Sequence, residues 1–141
     1  MTGSNSIFLD TSPIIYLIEN NQRYYSKVSR FLVDSIITEM TFSTSVISIA
    51  EFGVKPKKIG KLELINEMEQ LLSSLQVKVA DVTIEIANLA STLRARYEFL
   101  KGIDSLQLAV AINLNCNLFL TNDKALKQVS EMKVLTIDDL N

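Results

Sequence analysis

The sequence predicts an α/β fold of three layers, with helices on both faces of a parallel sheet of about five strands. Three observations carry this. Short β-prone runs at 6–9, 40–43, 77–82, 118–120 and 134–136 alternate with segments of helical spacing. The run 103–114 is apolar almost all round, as a helix packed on every side is. The 141 residues are read as one domain, 1–141, because a chain of that length buries roughly 68–70% of the surface its unfolded form exposes.

The elements follow in order. "SIFL" reads as a short buried strand. Ser12 and Pro13 then read as a cap and a first helical position, with the helix ending near Glu19. Residues 24–38 carry helical spacing through Val28, Phe31, Leu32, Ser35 and Ile36. After the strand at 40–43, Ser45 is placed to cap a short helix through Phe52, with Gly53 as its stop. Residues 55–58, around Pro56, then read as a loop. Residues 62–75 form an amphipathic helix, and Thr83 caps a long helix reaching about Leu100, broken by Gly102. Helices at 103–114 and 124–129 flank the fourth strand.

Composition narrows the function. The chain is 48% hydrophobic and 21% charged, too apolar for disorder. It has no histidine, which removes Ser-His-Asp and Cys-His mechanisms and zincin motifs together. One cysteine, Cys116, excludes an internal disulfide and points to a reducing compartment. The net charge of −2 argues against wholesale coating of nucleic acid and leaves room for local basic patches. The start of the chain lacks signal-peptide character, and no apolar run reaches the ~18–20 residues of a membrane span. The expected location is the cytoplasm, with no membrane partner.

Ligand sites in parallel sheets form beyond the carboxyl ends of strands. Asp10 directly follows the first strand, Glu51 lies in the helix after "TFSTS", and Asp123 follows "LFLTN". Asp104 stands in the first turn of "GIDSLQLAVAI". Each has a plain alternative: Asp10 and Asp123 as helix caps, Asp104 as a complement to a helix dipole at ~0.3–1 kcal/mol. Glu51 is harder to set aside, because its neighbours are apolar and a buried charge needs a partner. Four acids on apolar elements, with no matching Lys or Arg nearby in sequence, repel one another. A divalent cation is the natural compensation, and oxygen ligands without His or Cys select Mg²⁺ or Mn²⁺. Such a cluster suits phosphodiester hydrolysis.

"IFLDTSPIIYLIE", "SVISIAEFG", "RARYEFLKGIDSLQLAVAI" and "LFLTNDKAL" resemble, in order and spacing, the PIN-domain ribonucleases, especially the VapC-type toxins of toxin–antitoxin pairs. The resemblance spans Ser6 to Leu140 and rests on the ordered set, since "LDTS" alone is weak. It implies an α/β/α sandwich and a Mg²⁺- or Mn²⁺-dependent endoribonuclease. It further implies a homodimer, with a cognate antitoxin protein as inhibitor. The family's acids map to Asp10, Glu51, Asp104 and Asp123, and its hydroxyl and amide helpers to Thr11, Thr121 and Asn122. Two positions depart from the family pattern. Ser12 and Pro13 follow "DT", where many members have Asn. Gln107 stands where many have His, able to hydrogen-bond substrate or metal water but not to act as a base.

RNA needs cations beside a four-acid pocket. Lys55, Lys57, Lys58 and Lys61 follow Glu51, and Arg94, Arg96 and Lys101 precede Asp104; a solvated surface is the plain alternative for both groups. Arg94 or Arg96 could instead pair with a site carboxylate or with one from an antitoxin. Tyr16, Tyr24 and Tyr25 read as packing, or as a groove for a partner helix. Two rival enzymes fit less well. A haloacid-dehalogenase-like phosphatase needs a second Asp where Ser12 stands, and a receiver domain carries its acceptor Asp after the third strand. The remaining alternative is a catalytically silent PIN domain that binds RNA or protein.

Overall fold

A computed structural model describes residues 5–141. β1 (Ser6–Leu9), β2 (Thr41–Ser45), β3 (Lys78–Ala80), β4 (Leu118–Thr121) and β5 (Val134–Thr136) form one sheet. Its order is β3-β2-β1-β4-β5, and every pairing is parallel. The chain leaves β1 toward β2 and β3, then returns across the sheet to β4 on the other side of β1. Crossovers are right-handed, so reversing direction moves the connecting helices to the opposite face. α1 (Thr11–Ile18), α2 (Tyr25–Ile37), α3 (Val46–Ile59) and α4 (Glu63–Ser74) make the first two connections. α5 (Ile84–Arg96) and α6 (Gly102–Asn113) make the return. The reversal leaves a crevice where β1 and β4 lie side by side, the topological switch point.

Strand alternation supplies both cores. Ile7, Leu9 and Leu120 point into a cluster with Ile14, Val28, Leu32, Phe52, Met68 and Leu72 of α1 to α4. Phe8 and Phe119 point the other way, among Ile86, Leu93, Leu108 and Val110 of α5 and α6. Their rings stack at 5.1 Å across the central β1/β4 pair.

Four local expectations are corrected. Asp10, not Ser12, caps α1: its carboxylate accepts the Thr11 N–H, so Pro13 falls on the third helical residue. α3 does not stop at Gly53, and the loop at 55–58 is helix. Pro56 sits inside α3, and the turn comes at Gly60, whose φ of 71° suits a residue without Cβ. The missing Pro56 N–H is tolerated because Phe52, Gly53 and Pro56 are all buried, and burial outweighs local propensity. α5 ends at Arg96 rather than near Leu100. Tyr97 turns extended, its hydroxyl donates to Glu131 at 2.6 Å, and Leu100 drops into the core. The segment at 124–129 is a 3₁₀ turn, Lys124–Gln128, and a second one, Ile137–Asp139, was not foreseen.

The proline inside α3 lends itself to a stability test. Pro56→Ala restores a hydrogen bond to the Phe52 carbonyl and removes a proline penalty of ~3 kcal/mol, against lost ring packing and a freer unfolded chain. The expected net is about 1 kcal/mol of added stability by urea unfolding; an unchanged or lower midpoint would show that the ring's packing decides this turn.

Candidate active site

Asp10 extends β1 by one residue and is anchored there: its N–H donates to the Leu120 carbonyl of β4 at 3.0 Å. Three donors converge on its carboxylate. The Thr11 N–H lies 2.9 Å and Gln107 Nε2 3.3 Å from Oδ1, and Thr121 Oγ1 lies 2.8 Å from Oδ2. Burial still pushes the Asp10 carboxyl above its ordinary 3.8; these hydrogen bonds pull it back, and the Glu51 charge adds to the rise. Glu51, in the second turn of α3, accepts from Thr11 Oγ1 at 2.5 Å.

Asp104 enters from the first turn of α6. Its carboxyl is pushed up to about 6, first by burial and then by the charges of Asp10 and Asp123, with Lys101 pulling weakly the other way. Asp123 follows β4 and caps the 3₁₀ turn by accepting the Ala125 N–H at 3.0 Å. The cap reading of Asp10 and of Asp123 and their place in the pocket are therefore compatible. Asn122 is held from both ends: its N–H donates to Ser12 Oγ at 3.2 Å, and its Nδ2 to the Tyr16 hydroxyl at 2.8 Å.

The four acids line one open cavity of about 380 Å³ at the carboxyl ends of β1 and β4, with Thr11, Ser12, Ile15, Thr121 and Asn122. Among the described residues no Lys or Arg lines it. Of the cationic residues named from the sequence, Lys101 stands close enough to act on Asp104 without lining the cavity, and others are engaged away from it. Lys55 pairs with Glu19 at 3.3 Å, and Arg96 pairs with Glu131. Lys57 and Lys58 occupy the last turn of α3, and Arg94 lies in the groove between α5 and α6. Tyr16 and Tyr24 pack against each other at 4.7 Å within the first core. Gln107 does not face the cavity as a substrate contact: it is 1% exposed beneath Asp10.

The donor set is entirely oxygen and carries up to four negative charges with no cationic side chain in the lining, which fits a hard divalent cation. The acids ring the cavity rather than clasp one centre: among the described residues no three acidic or cysteine side chains are grouped to hold an ion.

Sequence reasoning missed the layer beneath the acids. Ser43, Thr44, Ser45 and Ser48 are buried hydroxyls at the β2–α3 junction. Their signal was present: β2 buries four consecutive residues, "FSTS", without alternation, so the polar ones had to find partners inside.

A family model described as the PIN domain matches residues 7–132. The chain belongs to the PIN-domain family. Solved structures share its fold. A chain of the VapBC2 complex of Rickettsia felis, bound to a DNA fragment from its promoter, superposes with a TM-score of 0.73 at 19% identity, covering 96% of this chain and 99% of that one. A chain of DNA-bound VapBC from Salmonella typhimurium gives 0.71 at 18% identity, covering 94% and 98%. VapC20 of Mycobacterium tuberculosis, a toxin that cleaves the sarcin–ricin loop, gives 0.64 at 16%, covering 80% and 86%. No curated protein sequence matches. In this PIN domain no described helix is long and apolar enough to cross a membrane.

Proposed function

We propose that the chain is a Mg²⁺- or Mn²⁺-dependent endoribonuclease, the toxin of a toxin–antitoxin pair, acting in the cytoplasm as a homodimer restrained by a cognate antitoxin. The observation that carries the chemistry is the set of four carboxylates around the β1/β4 switch point of a PIN domain, with no cationic side chain lining it. The toxin reading takes its support from the VapBC and VapC structures that share the fold.

Asp10, Glu51, Asp104 and Asp123 would hold the cation. When bound, it supplies Lewis acidity and lowers the pKa of water, which suits phosphodiester hydrolysis. The protein's share is placement. Thr121 and the Thr11 N–H pin Asp10, and the Thr11 hydroxyl pins Glu51. Asn122, braced by Ser12 and Tyr16, fixes the rim where a phosphate would rest. RNA beyond the scissile phosphate would follow Lys57, Lys58 and Arg94, whose charges are not tied up in ion pairs among the described residues; Lys55 and Arg96 would first have to leave Glu19 and Glu131.

The test is cleavage of mixed structured and single-stranded RNAs by wild type and Asp10→Asn, with Mg²⁺, Mn²⁺ or EDTA. Expected are strict metal dependence and a loss of about 10³-fold or more in the variant, which keeps the helix cap. Equal traces in both proteins would reject the reading. Absent cleavage together with absent Mn²⁺ binding would favour the silent, binding-module alternative.

A further inference from the structure

Beneath the acids lies a closed polar network with no charge of its own. Gln107 of α6 is at its centre, 97 residues from Asp10 and 62 from Ser45 in sequence. Both amide hydrogens and the carbonyl oxygen of its carboxamide have partners. One Nε2 hydrogen goes to Asp10 Oδ1 at 3.3 Å and the other to Ser48 Oγ at 2.9 Å, while Oε1 accepts from the Ser45 hydroxyl. Turning the amide over would set its carbonyl against the Asp10 carboxylate, so the orientation is determined.

Counting hydrogens directs the rest. Thr44 Oγ1 donates to the Leu9 carbonyl at 2.7 Å, and Thr11 Oγ1 donates to Glu51. The single Ser48 hydrogen must then go to one of these two hydroxyls, at 2.9 and 3.1 Å, while Ser48 accepts from Gln107. The network runs from Asp10 through Gln107 to Ser48, which lies against both Thr44 and Thr11. Gln107, Ser45, Ser48 and Thr44 are each at most 1% exposed, and no fully buried side-chain N or O atom among the described residues lacks a partner.

We infer that Gln107 is a positioning residue: clamped by Ser45 and Ser48, it sets the Asp10 carboxylate at the cation site that Asp10 lines with Glu51. This rests on the proposed function, because it assigns the cation to those acids. A neutral amide suits the place, since it supplies two donors without adding a fifth charge. Partners of this kind behind a metal ligand are worth about 10–100-fold in metal affinity.

The test is Mn²⁺ binding by electron paramagnetic resonance titration, which needs no RNA. Gln107→Leu is expected to weaken Mn²⁺ binding about 10–100-fold. Gln107→Asn keeps the amide but is one methylene short of spanning Ser45 and Asp10, and Ser45→Ala frees the clamp; both are expected to fall between Gln107→Leu and wild type. Met132→Ala, a core truncation in the cluster of α5 and α6 and outside the polar network, controls for stability and is expected to leave binding unchanged. Wild-type affinity in Gln107→Leu, or in both Gln107→Asn and Ser45→Ala should the first not fold, overturns the inference. An equal loss in Met132→Ala overturns it too, by showing that lost stability suffices. If wild type and Asp10→Asn bind Mn²⁺ alike, it is the nuclease reading that fails.

Discussion

Asp104→Asn is expected to abolish cleavage and to stabilise the metal-free protein in the same substitution. Burial disfavours the Asp104 charge, and Asp10 and Asp123 repel it, so its carboxyl sits at about 6. A folded-state pKa above the ordinary 3.8 means that folding takes up a proton. The resulting stability is fully present below pH 4, is lost as pH climbs through 6, and changes no further above that. Asp10, also raised, contributes with the same sign. Asp139, held down to about 2 chiefly by Lys127, has the opposite sign but acts only below pH 4.

Removing the Asp104 charge should therefore add roughly 1 kcal/mol at pH 7.5 after allowance for its partial exposure, or about 4 °C in Tm. The advantage should shrink to nothing near pH 4. Saturating Mg²⁺ should reverse the order, since a cation at a hundred times its Kd stabilises the protein that binds it by about 2.7 kcal/mol. Thermal melts in EDTA between pH 4 and 7.5 provide the check. Parallel pH slopes for wild type and variant would mean that Asp104 does not carry the repulsion.

The second large effect lies in the sheet. Phe8 and Phe119 are fully buried on adjacent central strands, with nearly parallel rings. Phe8→Ala is expected to cost about 3–5 kcal/mol, from lost transfer energy and the cavity left between β1, β4 and α6. Domains of this kind are stable by only ~5–15 kcal/mol, so the urea midpoint should fall by about a fifth or more. Phe119→Ala should cost as much. The double variant should lose about 0.5–1.5 kcal/mol less than the sum, because the stack can be removed only once. Strict additivity would show that each ring packs on the helices alone. Both rings flank the residues that present Asp10 and Thr121, so even folded fractions of these variants should bind Mn²⁺ weakly.

Much of the fold was legible because its signals are local. The strand runs at β1, β4 and β5 and the all-round apolar α6 matched where the elements lie, and the alternation of strands and helices matched the parallel sheet. Where local signals misled, a distant contact outweighed them. Gly53 and Pro56 carry the local marks of a helix end, yet burial keeps α3 running to Gly60. The 97–100 segment has helical composition, yet the contacts of Tyr97 with Ser130 and Glu131 pull it out of α5.

The site divides in the same way. Residue types and their order along the chain specify the chemistry on offer: four carboxylates near strand ends or helix starts, no histidine, and oxygen donors suited to a hard cation. They can do so because residue type and position along an element are local properties. Long-range packing is what gathers the acids into one cavity, engages Lys55 and Arg96 with Glu19 and Glu131, and sets Gln107 under Asp10 rather than before the substrate. Those outcomes depend on the order β3-β2-β1-β4-β5 and on contacts between residues 35 to 111 positions apart. A chain reports its local propensities residue by residue, whereas the partners of a buried polar group are chosen by whatever the sheet brings beside it.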